Sequence, residues 1–495
     1  MSPPFISKSK YLSGLQCPKL LWYYYNAKEQ IPPIDEATQA IFDQGHAVGE
    51  LAKSLFPGGI EVAWDAGVAS GLTPSRELLK QRKPLFEAGF VYKNSYARAD
   101  VLRPAQNGAW DIIEVKSTNN VKEVHYDDLA LQRYCFEGAG VPINRCILMH
   151  LNPRYVRHGA LDVPALFVQE DVTECVQTAS QGVAERLDQM AGVIAAKTCP
   201  EVAIGAQCSA PYECVMQPIC WAFLPEDHPA TLYRIAREKA FDLIARGIHR
   251  IADMPKDSEL NDRQLIQWKA LLTGEPHVDH TEIAAFLKTI SFPLHLMDFE
   301  TFATAIPLFD NTAPYMQVPF QFSLHVVADL AAPPTHVSFL AEGKEDPRPA
   351  FLKRLKESLG DHGSVLVFNQ SFEIGRLREC AAYFPEYAEW VNGVAARIID
   401  LLAPFRSFHY YHPRQHGSAS IKAVLPALTG KSYADLAIAE GGTASREFLR
   451  MTFTDVTDDE RRRVRRALEE YCGLDTQGML DVVRALWSKL GNRTV

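Results

Sequence analysis

The sequence has no run of about 18 consecutive apolar residues, the length an α-helix needs to cross a bilayer, so no membrane span is expected. Its first residues, MSPPFISKSKYLSG, lack the apolar core of a secretory signal. Positive charge is not in excess either: 51 Lys and Arg against 60 Asp and Glu leave a formal net charge of −9. That balance argues against indiscriminate coating of nucleic acid, although a basic groove can sit in an acidic body. A soluble cytoplasmic protein is the expectation. In that setting, ten cysteines read as thiols or metal ligands rather than as a disulfide framework. What is present is a chain of 495 residues, 47% of them hydrophobic. That is too long for one core, so two or three domains are expected.

Tyr96 to Gln132, YARADVLRPAQNGAWDIIEVKSTNNVKEVHYDDLALQ, carries the densest chemistry. It reads as a strand ending in Asp100, a turn at Asn107-Gly108, a second strand from Trp110 to Lys116, and a helix bearing Gln132. Glu114 and Lys116 are two apart, so both side chains leave one face of a strand. Paired carboxylates suit Mg²⁺ or Mn²⁺, which take oxygen ligands. A lysine beside such an ion can orient and help deprotonate a water that attacks phosphate. Glu-x-Lys by itself is a common solvated strand face, and the neighbouring residues decide the reading. His46 in DQGHAVGE, Asp100 in ARAD, Glu114 and Lys116 in IIEVKS, and Gln132 in ALQRYCFE together resemble the PD-(D/E)XK nucleases. Among these they are most similar to the RecB-like group, which includes CRISPR-adaptation nucleases with an iron–sulfur cluster. The resemblance implies that His46, Asp100 and Glu114 bind the metal. It also implies that Lys116 serves the water and that Gln132 positions the water or the scissile phosphate. The family often has a tyrosine four residues after that glutamine, where this chain has Phe136, and Tyr134 is out of step.

Around this stretch the pattern is helical over residues 7–25, with Cys17 followed by Pro18, and again over 36–56 with His46 inside. Val62 to Ala66 and Gly89 to Tyr92 read as strands with a short helix, Ser75 to Lys83, between them. Asn144 to Leu151 and Leu166 to Asp171 read as strands, and Val172 to Ala196 as a helix. Cys208, Cys214 and Cys220 follow at even spacing in a loop rich in proline and aromatics. Such a loop buries little on its own, which suggests metal stapling with Cys17 as the fourth ligand. Thiolates in fours hold zinc as well as iron–sulfur clusters, and spacing does not separate the two. The layout, with LQCPKLLWY near the start and three cysteines after the core, is similar to that of the cluster-bearing RecB-like nucleases. That resemblance implies a [4Fe–4S] cluster on Cys17, Cys208, Cys214 and Cys220. Cys199 is a spare, and Cys135, Cys146, Cys175, Cys380 and Cys472 read as ordinary buried thiols.

Residues 226–290 read as a helical connector, in which ARGIHRIADM looks like half of a helix–hairpin–helix or a plain linking helix. From Phe292 onwards strands return. PLHLMDFETF carries Asp298 and Glu300 on one face of an apolar strand, a costly place for carboxylates unless a cation joins them. SVLVFNQSFEIGRLREC gives a strand and then a helix with Glu373, and ARIIDLLAPF supplies Asp400. SASIKAVLPAL reads as a serine-capped helix. EEYCGLDTQGMLDVVRALW reads as a helix with Tyr471 and Asp475 four apart, on one face. Asp298-Phe-Glu300, Asn369-x-x-Phe-Glu373 and Tyr471-x-x-x-Asp475 resemble the three motifs of the DEDDy 3′–5′ exonucleases of the ribonuclease H-like superfamily. The second motif departs by carrying glutamate for aspartate. The resemblance implies two metals held by Asp298, Glu300, Glu373 and Asp475, with Tyr471 orienting the water. This half also looks like an uncharacterised bacterial domain found fused to RecB-like nucleases.

The expectation is therefore an α/β chain in three parts. Residues 1–225 form a RecB-like PD-(D/E)XK nuclease core with an Fe–S staple, 226–290 a helical connector, and 291–495 a ribonuclease H-like mixed sheet with flanking helices. The expected function is metal-dependent hydrolysis of nucleic acid, DNA more readily than RNA, at two sites, in repair, defence or end processing. The alternatives are a nucleic-acid-binding protein with one hydrolytic site, or an RNA-directed nuclease.

Overall fold

The computed structural model describes residues 5–64, 68–255 and 257–491. The chain is mixed α/β and divides into two compact units, Met1–Phe223 with Thr304–Met316, and Leu224–Ala303 with Gln317–Val495. The helical stretch after residue 224 thus groups with the second unit. No helix among the described residues is long and apolar enough to cross a membrane.

The first unit is built on a mixed seven-stranded sheet of β1 (Ile6–Ser7), β2 (Ile60–Glu61), β3 (Leu85–Tyr92), β4 (Ser95–Pro104), β5 (Trp110–Lys116), β6 (Ile143–Leu151) and β7 (Phe167–Asp171). Strands β2 to β7 are neighbours in sequence order, and β1 adds to β4 in parallel. The β5 sequence WDIIEVK is rich in residues that fit a pleated surface, and it is covered on both faces. Ile112 packs with Leu129 of the Glu123–Gly138 helix, and Ile113 packs with Val48 and Ala52 of the Glu36–Lys53 helix.

Several local expectations need correction. The helix over residues 7–25 is two helices, Lys8–Gln16 and Pro18–Asn26, broken at Cys17, whose backbone is extended (φ −160°, ψ 120°). Pro18 forces this, because a residue before proline is pushed out of the helical region. Asp100 lies inside β4 rather than at its end. The Val172–Ala196 helix is likewise divided, into Thr173–Ser180 and Val183–Ala195, at Gly182 with its positive φ of 76°. Residues 62–64 lie outside any strand, and the expected strand's last two positions, 65 and 66, lie outside the described residues. The expected Ser75–Lys83 helix instead spans Val68–Leu78 and tightens into a 3₁₀ turn, Leu79–Gln81. In ARGIHRIADM a helix ends at Ala245 and a short 3₁₀ turn, Ile251–Asp253, follows.

The second unit holds a two-stranded ribbon of β8 (His277–Val278) and β14 (Tyr410–Tyr411) beside a five-stranded sheet. That sheet comprises β9 (Leu294–Phe302), β10 (Val318–Val327), β11 (Thr335–Leu340), β12 (Val365–Val367) and β13 (Ile398–Asp400), in the order β11-β10-β9-β12-β13. β10 runs antiparallel to both β9 and β11, while β12 is parallel to β9 and β13. On central β9, alternation sends Met297 and Phe299 into a core with Phe351 and Leu355. Asp298 and Glu300 therefore turn to the other face. The 33-residue helix Asp458–Leu490, capped by Thr457, carries Tyr471 and Asp475 near its middle.

Candidate functional site

In the second unit, Asp298, Glu300, Glu373, Tyr471 and Asp475 all line one cavity of about 210 Å³, with Asn369 and Lys422. Each comes from a different local device. Asp298 and Glu300 share one face of β9. Glu373 sits in the first turn of the Gln370–Tyr383 helix, which follows Asn369 in a left-handed conformation (φ 104°). Tyr471 and Asp475 are one turn apart on the long helix.

Glu300, Glu373 and Asp475 are almost fully buried. Burial, then the neighbouring charges of Asp475, Glu300 and Glu373, pushes Asp298 well above the usual carboxylate range. Burial and Asp475 raise Glu300 to about 8. Burial raises Glu373 to about 8, with Asp400 adding to it. Asp475 rises less, to about 6, because Tyr433 and Lys422 oppose the effect of burial. One oxygen of Glu373, Oε2, is buried with no hydrogen-bond partner. Acids packed this way repel one another until a cation or protons join them. An all-oxygen set suits Mg²⁺ or Mn²⁺, so these residues fit the metal that the motifs imply.

The sequence reading missed three neighbours of this cavity. The Tyr433 hydroxyl donates to Asp475 Oδ1 at 2.6 Å. Lys422 holds its ammonium 5.2 Å from the Tyr471 ring centroid and 5.8 Å from that of Tyr433. Gly441 opens the Gly441–Phe453 helix so close to the site that a Cβ there would lie 3.5 Å from Glu300 Oε2 and 3.9 Å from the Tyr471 hydroxyl. Cys472 is a buried thiol as expected, but it lies against the site, with Sγ 3.9 Å from Asp298 Oδ2. Among the described residues, Asp298, Glu300 and Cys472 form the one group of three ligand-type side chains whose atoms all lie within 4.8 Å of one another. Asp400 braces the loop beside the site: its Oδ1 accepts the Asn369 and Leu402 amides at 3.1 and 3.0 Å.

The first-unit residues fall into two groups. His46, exposed on the Glu36–Lys53 helix, and Asp100 line a cavity of about 140 Å³ with Glu50, Lys53 and Glu87. Asp100 Oδ2 there accepts the Val115 amide at 2.7 Å. Glu114 is not among the residues lining that cavity. It belongs to a buried ion cluster with Lys116 and Gln132. Lys8 and Lys116 both hold Glu114 Oε1 at 2.7 Å, and Gln132 Nε2 donates to Oε2 at 2.7 Å. Asp128, one turn before Gln132, pairs with Lys116 at 2.6 Å. Burial alone would lower Lys116, but Asp128, Glu114 and Asp100 outweigh it and hold the ammonium well above the usual lysine range. Every Glu114 oxygen is thus engaged, and the cluster as arranged offers a cation no free carboxylate. Neither Lys8 nor Asp128 was singled out from the sequence.

Cys17, Cys208, Cys214 and Cys220 line a single cavity with Leu20, Ile204 and Met216. The break at Pro18 is what turns Cys17 out of its helix. Burial raises the Cys214 and Cys220 thiols; the other cysteines of the cavity add to this, and Lys19 opposes it at Cys220. No three of these sulfurs come within 4.8 Å of one another. Four thiols around one apolar space can take a metal group.

Residues 295–420 match the model of a family described as a domain of unknown function, DUF2779. That match takes in Asp298, Glu300, Glu373 and Asp400 and stops short of Tyr471 and Asp475. The chain is similar to the "Uncharacterized protein MG366 homolog" of Mycoplasma pneumoniae, 26% identical over an alignment of 204 residues that covers 37% of this chain and 31% of that protein. It is also similar to "Uncharacterized protein MG366" of Mycoplasma genitalium, 27% identical over 210 residues, covering 38% and 31% of the two chains. The matched part thus spans about a third of each of these relatives. The crystal structure of SSO0001 aligns with 46% of this chain and 89% of its own, at 15% identity and a TM-score of 0.26.

Proposed function

We propose that the chain is a metal-dependent nuclease that hydrolyses phosphodiester bonds of DNA, single-stranded or at ends. The observation that carries this reading is the convergence of Asp298, Glu300, Glu373 and Asp475 on one cavity with Tyr471 and Lys422. Divalent ions on those four carboxylates would neutralise charge on the entering and leaving oxygens of a phosphoryl displacement. The chain's own groups do the rest. Tyr471, its phenol held protonated first by burial and then by Asp475 and Glu300, donates a hydrogen bond that orients the attacking water. Tyr433 fixes one oxygen of Asp475, whose side chain lines the cavity. Lys422 offers its ammonium to a phosphate oxygen, and Gly441 keeps the approach open. The central, acid-bearing β9 in the order β11-β10-β9-β12-β13 supports a ribonuclease H-like reading of this unit, and a 3′–5′ exonuclease activity with it.

Lys116, held by Glu114 and Asp128 beside Gln132, supports a PD-(D/E)XK reading of the first unit and a second hydrolytic site there. A second reading, in which only one site hydrolyses and the first unit grips the strand, is favoured by the engaged oxygens of Glu114. The four cysteines around one space, in the layout that resembles the cluster-bearing RecB-like nucleases, support a [4Fe–4S] cluster, with a single zinc on the same thiolates as the alternative.

The test is cleavage of end-labelled single- and double-stranded DNA and RNA by anaerobically purified protein, with and without Mn²⁺. Asp298→Asn and Lys116→Ala should each remove a different product pattern. Full Mn²⁺-dependent cleavage by both variants would refute the assignment of sites.

A further inference from the structure

Lys8 enters the ion cluster from far away in sequence. Its backbone is held by β1, which pairs in parallel with β4 through Ile6 and Ser7, and Lys8 is the first residue of the Lys8–Gln16 helix. Its ammonium reaches Glu114 Oε1 at 2.7 Å and Asp128 Oδ1 at 3.4 Å. Two lysines and two carboxylates leave this cluster formally neutral. A divalent cation arriving at Glu114 would meet two ammonium groups already on the oxygen it needs.

The two lysines are not equivalent. Lys116 keeps a second short contact, 2.6 Å to Asp128 Oδ2, and sits on the same strand as Glu114. Lys8 has the weaker hold on Asp128, at 3.4 Å, and it reaches Glu114 from a different element, the Lys8–Gln16 helix, with a side chain about as exposed as that of Lys116, 28% against 23%. We propose that Lys8 is the resident counter-ion of Glu114, the group that a divalent cation displaces when it binds in the first unit. This rests on the reading of that unit as a metal site. It makes Lys8 a positioning residue that sets cation affinity: with Lys8 in place the cluster is neutral and closed, and with Lys8 gone it carries one net negative charge facing Glu114.

The test counts bound Mn²⁺ on the full chain by the electron paramagnetic resonance of free Mn²⁺, which reads binding without activity. The background carries Asp298→Asn and Glu300→Gln, so that the second unit's site is silent. Lys8→Gln, which keeps the length and loses the charge, should tighten Mn²⁺ binding by about tenfold or more, as expected for removal of a unit charge a few ångströms from a half-buried ion. Lys8→Arg should bind as the background does. Adding Glu114→Gln should abolish the gain. If Lys8→Gln fails to fold by circular dichroism, Lys8→Met serves in its place. Glu114-dependent binding that is no tighter without the Lys8 charge overturns this proposal and leaves the first-unit metal site standing. Absence of Glu114-dependent Mn²⁺ binding in every variant overturns both.

Discussion

The hydroxyl of Tyr433 donates to Asp475 Oδ1 at 2.6 Å across 42 residues of sequence. This bond, with Lys422, keeps Asp475 less raised than Asp298, Glu300 and Glu373, at about 6. Tyr433→Phe removes a donor to a charged acceptor, worth about 1.5–3 kcal/mol. The expected outcome is roughly 10- to 100-fold slower hydrolysis at this site, with the acidic limb of the pH–rate profile moved to higher pH. An unchanged profile would show that Tyr433 does not act through Asp475.

Stability without metal should fall as pH rises. Glu300 and Glu373 move from 4.5 in the unfolded chain to about 8 in the fold, and Asp475 from 3.8 to about 6. Between about pH 4 and pH 8 the folded state therefore binds more protons than the unfolded state, and the slope of stability with pH is negative. Melting followed in EDTA at about pH 5 and about pH 8 should show the second unit's transition at lower temperature in the more alkaline buffer. Mn²⁺ should remove most of that difference, and Asp298→Asn with Glu300→Gln should make the slope without metal shallower, leaving the part that Glu373 and Asp475 carry.

In the first unit, Asp128 holds Lys116 Nζ at 2.6 Å. Asp128→Asn keeps the shape and removes the charge that most raises the lysine. Loss of one charge-assisted bond corresponds to about 10- to 100-fold less cleavage by this unit, with the second unit's products unchanged. Equal loss from both sites would point to a folding defect instead.

The cysteine cavity predicts about four iron and four acid-labile sulfide per chain in anaerobic preparations. Cys17→Ser should lose both, along with the brown colour, and should lower the melting temperature of the first unit. One zinc per chain and no sulfide would replace the cluster with a single ion.

What the sequence revealed of these sites follows from spacing. Asp298 with Glu300 obeys the two-residue period of a strand, and Tyr471 with Asp475 the one-turn period of a helix, so both pairs were readable. Lys422 and Tyr433 were not. Lys422 stands in a segment whose pattern says only helix, Tyr433 in a loop that carries no periodicity, and both reach the site by tertiary packing alone. Asp128 does carry a signal, four residues before Gln132 on the same helix face, but the adjacent Asp127 offers the same residue type and spacing alone does not choose between them. The break at Cys17 was also written in Pro18, which an apparently continuous helical pattern concealed. Lys8 had no local signal: β1 is two residues long, and only its pairing with β4 brings that lysine to Glu114.

The most direct measurement is anomalous diffraction from crystals soaked in Mn²⁺. Density is predicted in the second unit's cavity, bonded to Asp298 and Glu300 and reached by Asp475 or Glu373, and it should be lost in Asp298→Asn. A cavity that stays free of anomalous density at millimolar Mn²⁺, with those four carboxylates still gathered around it, would contradict the account.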